Sequence, residues 1–136
     1  MVGQGYVTGK PKAQGRTAIR RRSDFERLYS SGKRYRTSLL TAVVLFRGDE
    51  EVTCRAAFVV GRKVARQAVR RNRVRRRLRE AYRSYRGLLA GGADLALVAQ
   101  PAAAQASYWE LRSALGELLR RAGLLSAAAA GRGEAG

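Results

Sequence analysis

The 136-residue chain has no histidine, one cysteine, one tryptophan, one asparagine and two prolines, and only 10 acidic residues stand against 28 basic ones. Without histidine, the commonest general base and the commonest metal ligand are both missing. With Cys54 as the single thiol, an internal disulfide, a Cys/His zinc site and a Cys–His nucleophile are excluded, and a reducing cytosol suits the chain. The only acidic cluster, Asp49, Glu50 and Glu51, could in principle hold Mg²⁺. Its setting, FRGDEEV between two apolar runs, reads instead as a solvated loop. No apolar run approaches the ~18 residues that a membrane span requires, and the N-terminus lacks the apolar stretch of a secretory signal. These absences predict a cytoplasmic protein that cuts nothing with its own side chains.

What the chain has in excess is arginine. The formal charge is +18, and the basic set is 24 Arg to 4 Lys. Such a field attracts polyanions at long range and opposes compaction until it is neutralised. Guanidinium groups bind phosphate through a planar fork and stack on bases, so nucleic acid is the expected partner. Residues Arg62 to Arg86 hold 12 of the 28 basic residues with one acid, Glu80, and the lone asparagine, Asn72, lies between Arg71 and Arg73. Charge runs are usually solvated helix faces balanced by opposite charges four residues away. Here Arg75/Arg79 and Arg79/Arg83 are like-charge pairs and one acid cannot balance 12 bases, so an external anion must.

Residues 1–15 carry four Gly, two Lys and a Pro without apolar periodicity, and are expected to form a flexible basic arm. Residues 126–136 read as a low-complexity tail, leaving 16–125 as one folded domain. Ser23 with Glu26 is a capping-box pattern, which predicts a helix starting near Asp24, presenting Phe25, Leu28 and Tyr29 and ending at Gly32. LLTAVVLF (Leu39–Phe46) and CRAAFVV (Cys54–Val60) are strand-like runs, most simply joined as an antiparallel hairpin. In the arginine segment Val74, Leu78, Ala81, Tyr82 and Tyr85 recur as a narrow helical stripe, with Asn72, Arg76, Arg79 and Arg83 on the opposite face. Gly91-Gly92 then breaks the chain, DLALVAQ (Asp94–Gln100) is a strand ended by Pro101, and a helix capped by Ser107 and Glu110 buries Leu111, Leu115, Leu118 and Leu119 before Gly123. The order helix, strand, strand, helix, strand, helix predicts a small α+β domain with a mixed sheet.

The string FVVGRKVARQAVRRNRVRRRLREAYR, Phe58 to Arg83, resembles the signature of the bacterial ribonuclease P protein subunit, in which an arginine-asparagine-arginine helix follows a strand and a basic turn. RRSDFERLYSSGKRYR, Arg21 to Arg36, resembles that family's first helix and the approach to its first strand, and DLALVAQP resembles its last strand. Where the family often has Gly-Asn-Ala, this chain reads Ala65-Arg66-Gln67-Ala68. The resemblance implies αβββαβα order, three helices on a mixed four-stranded sheet like the second domain of ribosomal protein S5, with a left-handed crossover. It therefore calls for one strand more than the residues alone suggest.

It also implies a role as the accessory protein of a ribonucleoprotein endoribonuclease that removes the 5′ leader of precursor tRNA. The catalytic RNA subunit would bind most of the required Mg²⁺, and the chain would supply no catalytic residue and no metal ligand. Carried onto this sequence, Arg70, Arg71, Asn72, Arg73, Arg75, Arg76 and Arg79 would meet RNA, Phe25 and Tyr29 would line a cleft for the 5′ leader, and Arg62 and Lys63 would stand near its mouth. No small-molecule substrate and no membrane is implied. A ribosomal or rRNA-assembly protein would share the charge and size, and a metal nuclease built on Asp49, Glu50 and Glu51 is the weaker alternative.

Overall fold

The computed structural model describes residues 18–19, 21–48 and 54–126. The expected arm, the acidic cluster at Asp49, Glu50 and Glu51, and the tail beyond Ser126 lie outside the described residues. The elements run α1 (Arg22–Ser31), β1 (Lys33–Arg36), β2 (Leu40–Phe46), β3 (Arg55–Val59), α2 (Ala68–Arg86), β4 (Ala93–Ala99), a 3₁₀ turn (Pro101–Gln105) and α3 (Tyr108–Arg121). Among the described residues, three helices and a four-stranded mixed sheet form one α+β domain, as expected.

Two local expectations are corrected. Ser23 does not cap α1: the helix begins two residues earlier than its pattern suggests, with Arg21 at the N-cap and no side-chain cap bond. Glu26 turns to Arg22 instead of the backbone, and Asp24 supplies the negative charge that the first turn favours. The hairpin between the two apolar runs does not form either, because the sheet order is β1-β2-β4-β3. β4 inserts between β2 and β3, antiparallel to the first over seven residue pairs and parallel to the second over five. Its sequence ADLALVA is buried on both faces, the pattern of a central strand, and the parallel β3–β4 pair needs the long crossover that α2 provides. The extra strand is β1, KRYR, which pairs with β2 at the sheet's edge.

The sheet separates two apolar layers. On one side Leu40, Ala42 and Val44 of β2, Ala56 and Phe58 of β3 and Leu95 and Leu97 of β4 pack against α2 and α3. The predicted stripe of α2 (Val74, Leu78, Ala81, Tyr82, Tyr85) and that of α3 (Leu111, Leu115, Leu118, Leu119) are all buried there. The Ser107/Glu110 capping box is present, with both reciprocal bonds made. At the other end of α3, Gly123 at φ +80° lets Leu124 N–H reach Leu119 O and its own N–H reach Arg120 O, a Schellman stop.

Close packing between α2 and α3 centres on Tyr85, which is fully buried and donates its hydroxyl to Arg112 O at 3.0 Å. A Cβ at Gly116 would stand 2.5 Å from that hydroxyl and 3.0 Å from the ring carbon bearing it. Gly116→Ala is therefore expected to destabilise by about 1–3 kcal/mol through overpacking. Urea unfolding should show the loss shrinking in a Tyr85→Phe background, where the clashing oxygen is gone.

On the other side of the sheet the layer is thinner: Ile19, Leu28, Val43, Ala57 and Ala96 are buried, while Phe25, Tyr29, Leu45 and Val98 are only partly covered. Among the described helices, α1 is the one that packs there. It is tied down by ions: Asp94 takes Arg55 through two bonds of 2.8 and 2.7 Å and Arg47 at 2.8 Å, and Arg55 also reaches Asp24 of α1 at 3.4 Å. The Asp94 side chain is 2% exposed, so this is a buried junction joining β2's end, β3, β4 and α1. The bonds to Asp94 come first in raising the Arg55 guanidinium above its ordinary pKa.

Candidate nucleic-acid interface

Burying the stripe of α2 leaves its remaining surface to arginine. The helix is 19 residues long with no acid in its first turn. Among the described residues none of its arginines forms an ion pair with a carboxylate.

The predicted RNA-contacting residues divide into three sets. Asn72, Arg73, Arg76 and Arg70 are exposed and lie outermost. Arg71, Arg75 and Arg79, four residues apart, are half-buried in a row that runs toward β3 at the sheet edge, where the Arg79 guanidinium lies 5.7 Å from the centre of the Phe58 ring. Arg79, placed on the outward face by periodicity, therefore leans back on the core by cation–π contact. Arg62 and Lys63 are exposed in the turn between β3 and α2.

Side-chain geometry gives the lone asparagine a task. Arg75 Nη1 donates to Asn72 Oδ1 at 2.6 Å, so Asn72 holds one guanidinium of the row in place. Arg71 Nη1 donates to the carbonyls of Ala65 and Arg66 at 3.1 and 2.7 Å, folding the basic turn onto the start of α2. Burial first, then the charges of Arg79 and Arg71, lower the pKa of Arg75 from its ordinary value, and burial followed by Arg83 does the same to Arg79. Arg75 Nε is buried with no hydrogen-bond partner. A crowded cationic row of this kind is relieved by an incoming anion.

Phe25 and Tyr29 come together on the thin side of the sheet, their rings near parallel with centroids 6.4 Å apart. Tyr29 is half-buried, its pKa raised by burial and partly offset by Arg34. Arg34 and Arg36 pair with Val43 and Thr41, which puts them on this same face, and Arg34 donates to Tyr29 O at 3.4 Å. Sequence reasoning missed both, although the two-residue period of KRYR carries the signal once β1 is recognised. Tyr82 and Tyr85, candidates for base stacking by type, are buried as the stripe requires, with Tyr82 edge-on to Phe58 at 5.6 Å.

Arg66 and Arg77 were also missed. Together with Arg70 and Arg73 they line a groove of about 540 Å³ between α2 and the 3₁₀ turn. The recurrence of Arg66, Arg70, Arg73 and Arg77 at helical spacing is the signal that could have found them.

An arginine helix carrying Asn72, crossing a mixed sheet opposite a sparsely covered aromatic face, matches a known family. The family model described as Ribonuclease P fits residues 14–123. The chain belongs to the ribonuclease P protein family. It is 36% identical over 107 residues to the ribonuclease P protein component of a Pseudanabaena species, covering 79% of this chain and 91% of that one. It is 42% identical over 105 residues to the protein component from Desulfovibrio desulfuricans, covering 76% and 80%. Among solved structures, the ribonuclease P protein of Thermotoga maritima superposes with a TM-score of 0.69 at 27% identity, over 78% of this chain and 97% of that one. The Staphylococcus aureus protein gives 0.71 at 21% identity, a likeness of fold, over 80% and 97%. Membership makes this chain the protein part of an RNA-based endoribonuclease.

Proposed function

We propose that the chain binds the catalytic RNA of ribonuclease P through α2 and its preceding turn, and the 5′ leader of precursor tRNA on the face of α1 and the sheet. Arg70, Arg71, Asn72, Arg73, Arg75, Arg76 and Arg79, with Arg62 and Lys63, would meet RNA, and Phe25 and Tyr29 would line the leader's path. The observation that carries this reading is the α2 surface, an arginine array with no carboxylate partner among the described residues. A folded domain retains such an array when an external polyanion neutralises it.

Among the described residues no group of three or more Cys, Asp or Glu side chains could hold a metal ion. In this reading Mg²⁺ is held mainly by the RNA, where it would activate water and stabilise the leaving oxygen. The protein's own part is to lower repulsion between two RNAs, hold the single-stranded leader by phosphates and stacked bases, and so favour precursor over mature tRNA. Among the described residues no helix is long and apolar enough to cross a membrane. A cytoplasmic location fits this substrate.

Binding to a bacterial ribonuclease P RNA should be salt-dependent. If about six phosphates are contacted, log K should fall with log salt at a slope of roughly −4 to −5. A flat response in a filter-binding titration would contradict phosphate-dominated recognition.

A further inference from the structure

The groove lined by Arg66, Arg70, Arg73, Arg77, Ala104 and Gln105 contains no acid and is about 540 Å³, large enough for a short sugar-phosphate segment. It closes where Arg77 Nη1 donates to Ala106 O at 3.1 Å, immediately before Ser107 caps α3. Trp109, in the first turn of α3 and three residues after Ala106, is 55% exposed. The ring is well supported for so open a side chain. Tyr108 meets it edge-to-face at 5.0 Å, and the Arg112 guanidinium lies over it at 5.5 Å from the ring centre.

Arg112 is unusual in its own right. The residue is 6% exposed, sits 5.1 Å from the Tyr85 ring and donates Nε to Ser84 Oγ at 2.8 Å, while its Nη1 is buried with no partner. No carboxylate pairs with it among the described residues. Folding thus keeps a cation without a carboxylate partner among the described residues beneath an exposed indole. A flat, polarised aromatic surface next to a phosphate-sized row of guanidiniums fits a nucleotide: a base has a face to stack, and its flanking phosphates have forks to bind. An acidic peptide would use the arginines but leave the indole unmatched.

We infer that Trp109, seated on Arg112 in the first turn of α3, is a stacking platform for one unpaired base of the bound RNA, with the neighbouring phosphates held by Arg66, Arg70, Arg73 and Arg77. This rests on the reading that α2 binds RNA and adds to it a surface on the α3 side of the helix, away from Phe25 and Tyr29.

Trp109 is the only tryptophan in the chain, so emission excited at the red edge, where the six tyrosines do not absorb, reports on it alone. The full chain is titrated with end-labelled oligoadenylate, with inorganic polyphosphate and with polyglutamate. Acrylamide quenching of Trp109 is read at saturation, and label anisotropy gives RNA binding independently. Oligoadenylate is expected to shield Trp109 several-fold while both base-free polyanions leave it open. Oligoadenylate that binds without shielding Trp109 overturns this inference and leaves RNA binding standing, whereas no binding of oligoadenylate overturns both. Equal shielding by polyphosphate or polyglutamate replaces stacking with charge alone or with an acidic-peptide surface. Trp109→Ala, at an exposed position that should not alter folding, is expected to weaken binding to a bacterial ribonuclease P RNA about tenfold, the scale of one base–aromatic stack. Trp109→Phe should keep most of it, and an unchanged affinity in the alanine variant would also overturn the inference.

Discussion

Asp94→Ala is expected to cost about 3–5 kcal/mol of folding stability, the scale seen when one partner of a buried ion pair is removed. Asp94 accepts from Arg47 at 2.8 Å and from Arg55 at 2.8 and 2.7 Å, and its side chain is 2% exposed. Removing it takes the shared carboxylate from two largely buried guanidiniums in a chain whose formal charge is already +18. Asp94→Asn should cost less, because its amide oxygen can still accept from one guanidinium. Urea unfolding at neutral pH measures both, and a loss below about 1 kcal/mol for the alanine variant would contradict the junction's structural role. Arg55 also reaches Asp24, so weakening the junction loosens α1, and with it Phe25 and Tyr29, before it touches α2.

That junction marks where sequence reading stops. The pairs Arg55–Asp94 and Arg47–Asp94 are separated by 39 and 47 residues, and nothing in local spacing joins them. The same non-local information decides the sheet: Leu39–Phe46 and Cys54–Val60 are readable as strands, but only the burial of both faces of β4 explains why it lies between them. β1 escaped notice because KRYR is four residues long, mostly exposed and without an apolar alternation. α2, by contrast, was legible, since its stripe is a local 3.6-residue period and all five stripe residues are buried. Period alone put Arg79 outward, yet its long side chain lies back on Phe58, a reach that Cα geometry does not capture. The motif drew attention to Asn72, and the hydrogen bond to Arg75 gives it a structural task.

The second large effect concerns the outward arginines. Replacing Arg70, Arg73 and Arg76 together with alanine should weaken binding to a ribonuclease P RNA by about 10²–10³ at ~0.1 M salt and make the log–log salt slope shallower by about 2–3, as expected for three lost phosphate contacts. All three side chains are exposed, so folding should be unaffected or slightly improved as like charges leave one helix. The triple lysine variant should keep most of the slope but lose affinity where the bidentate fork matters. Fluorescence anisotropy across a salt series separates these outcomes. An alanine triple variant with unchanged affinity and slope would remove α2 from the interface.

The most direct measurement is reconstitution of the full chain with a bacterial ribonuclease P RNA at low Mg²⁺, comparing kcat/KM for precursor tRNA with and without an extended 5′ leader. The leader-bearing substrate is expected to gain from the protein, and Phe25→Ala/Tyr29→Ala is expected to erase most of that gain while leaving affinity for the RNA subunit intact. An equal effect of the protein on both substrates, or specific cleavage of precursor tRNA by the protein without RNA, would contradict the account.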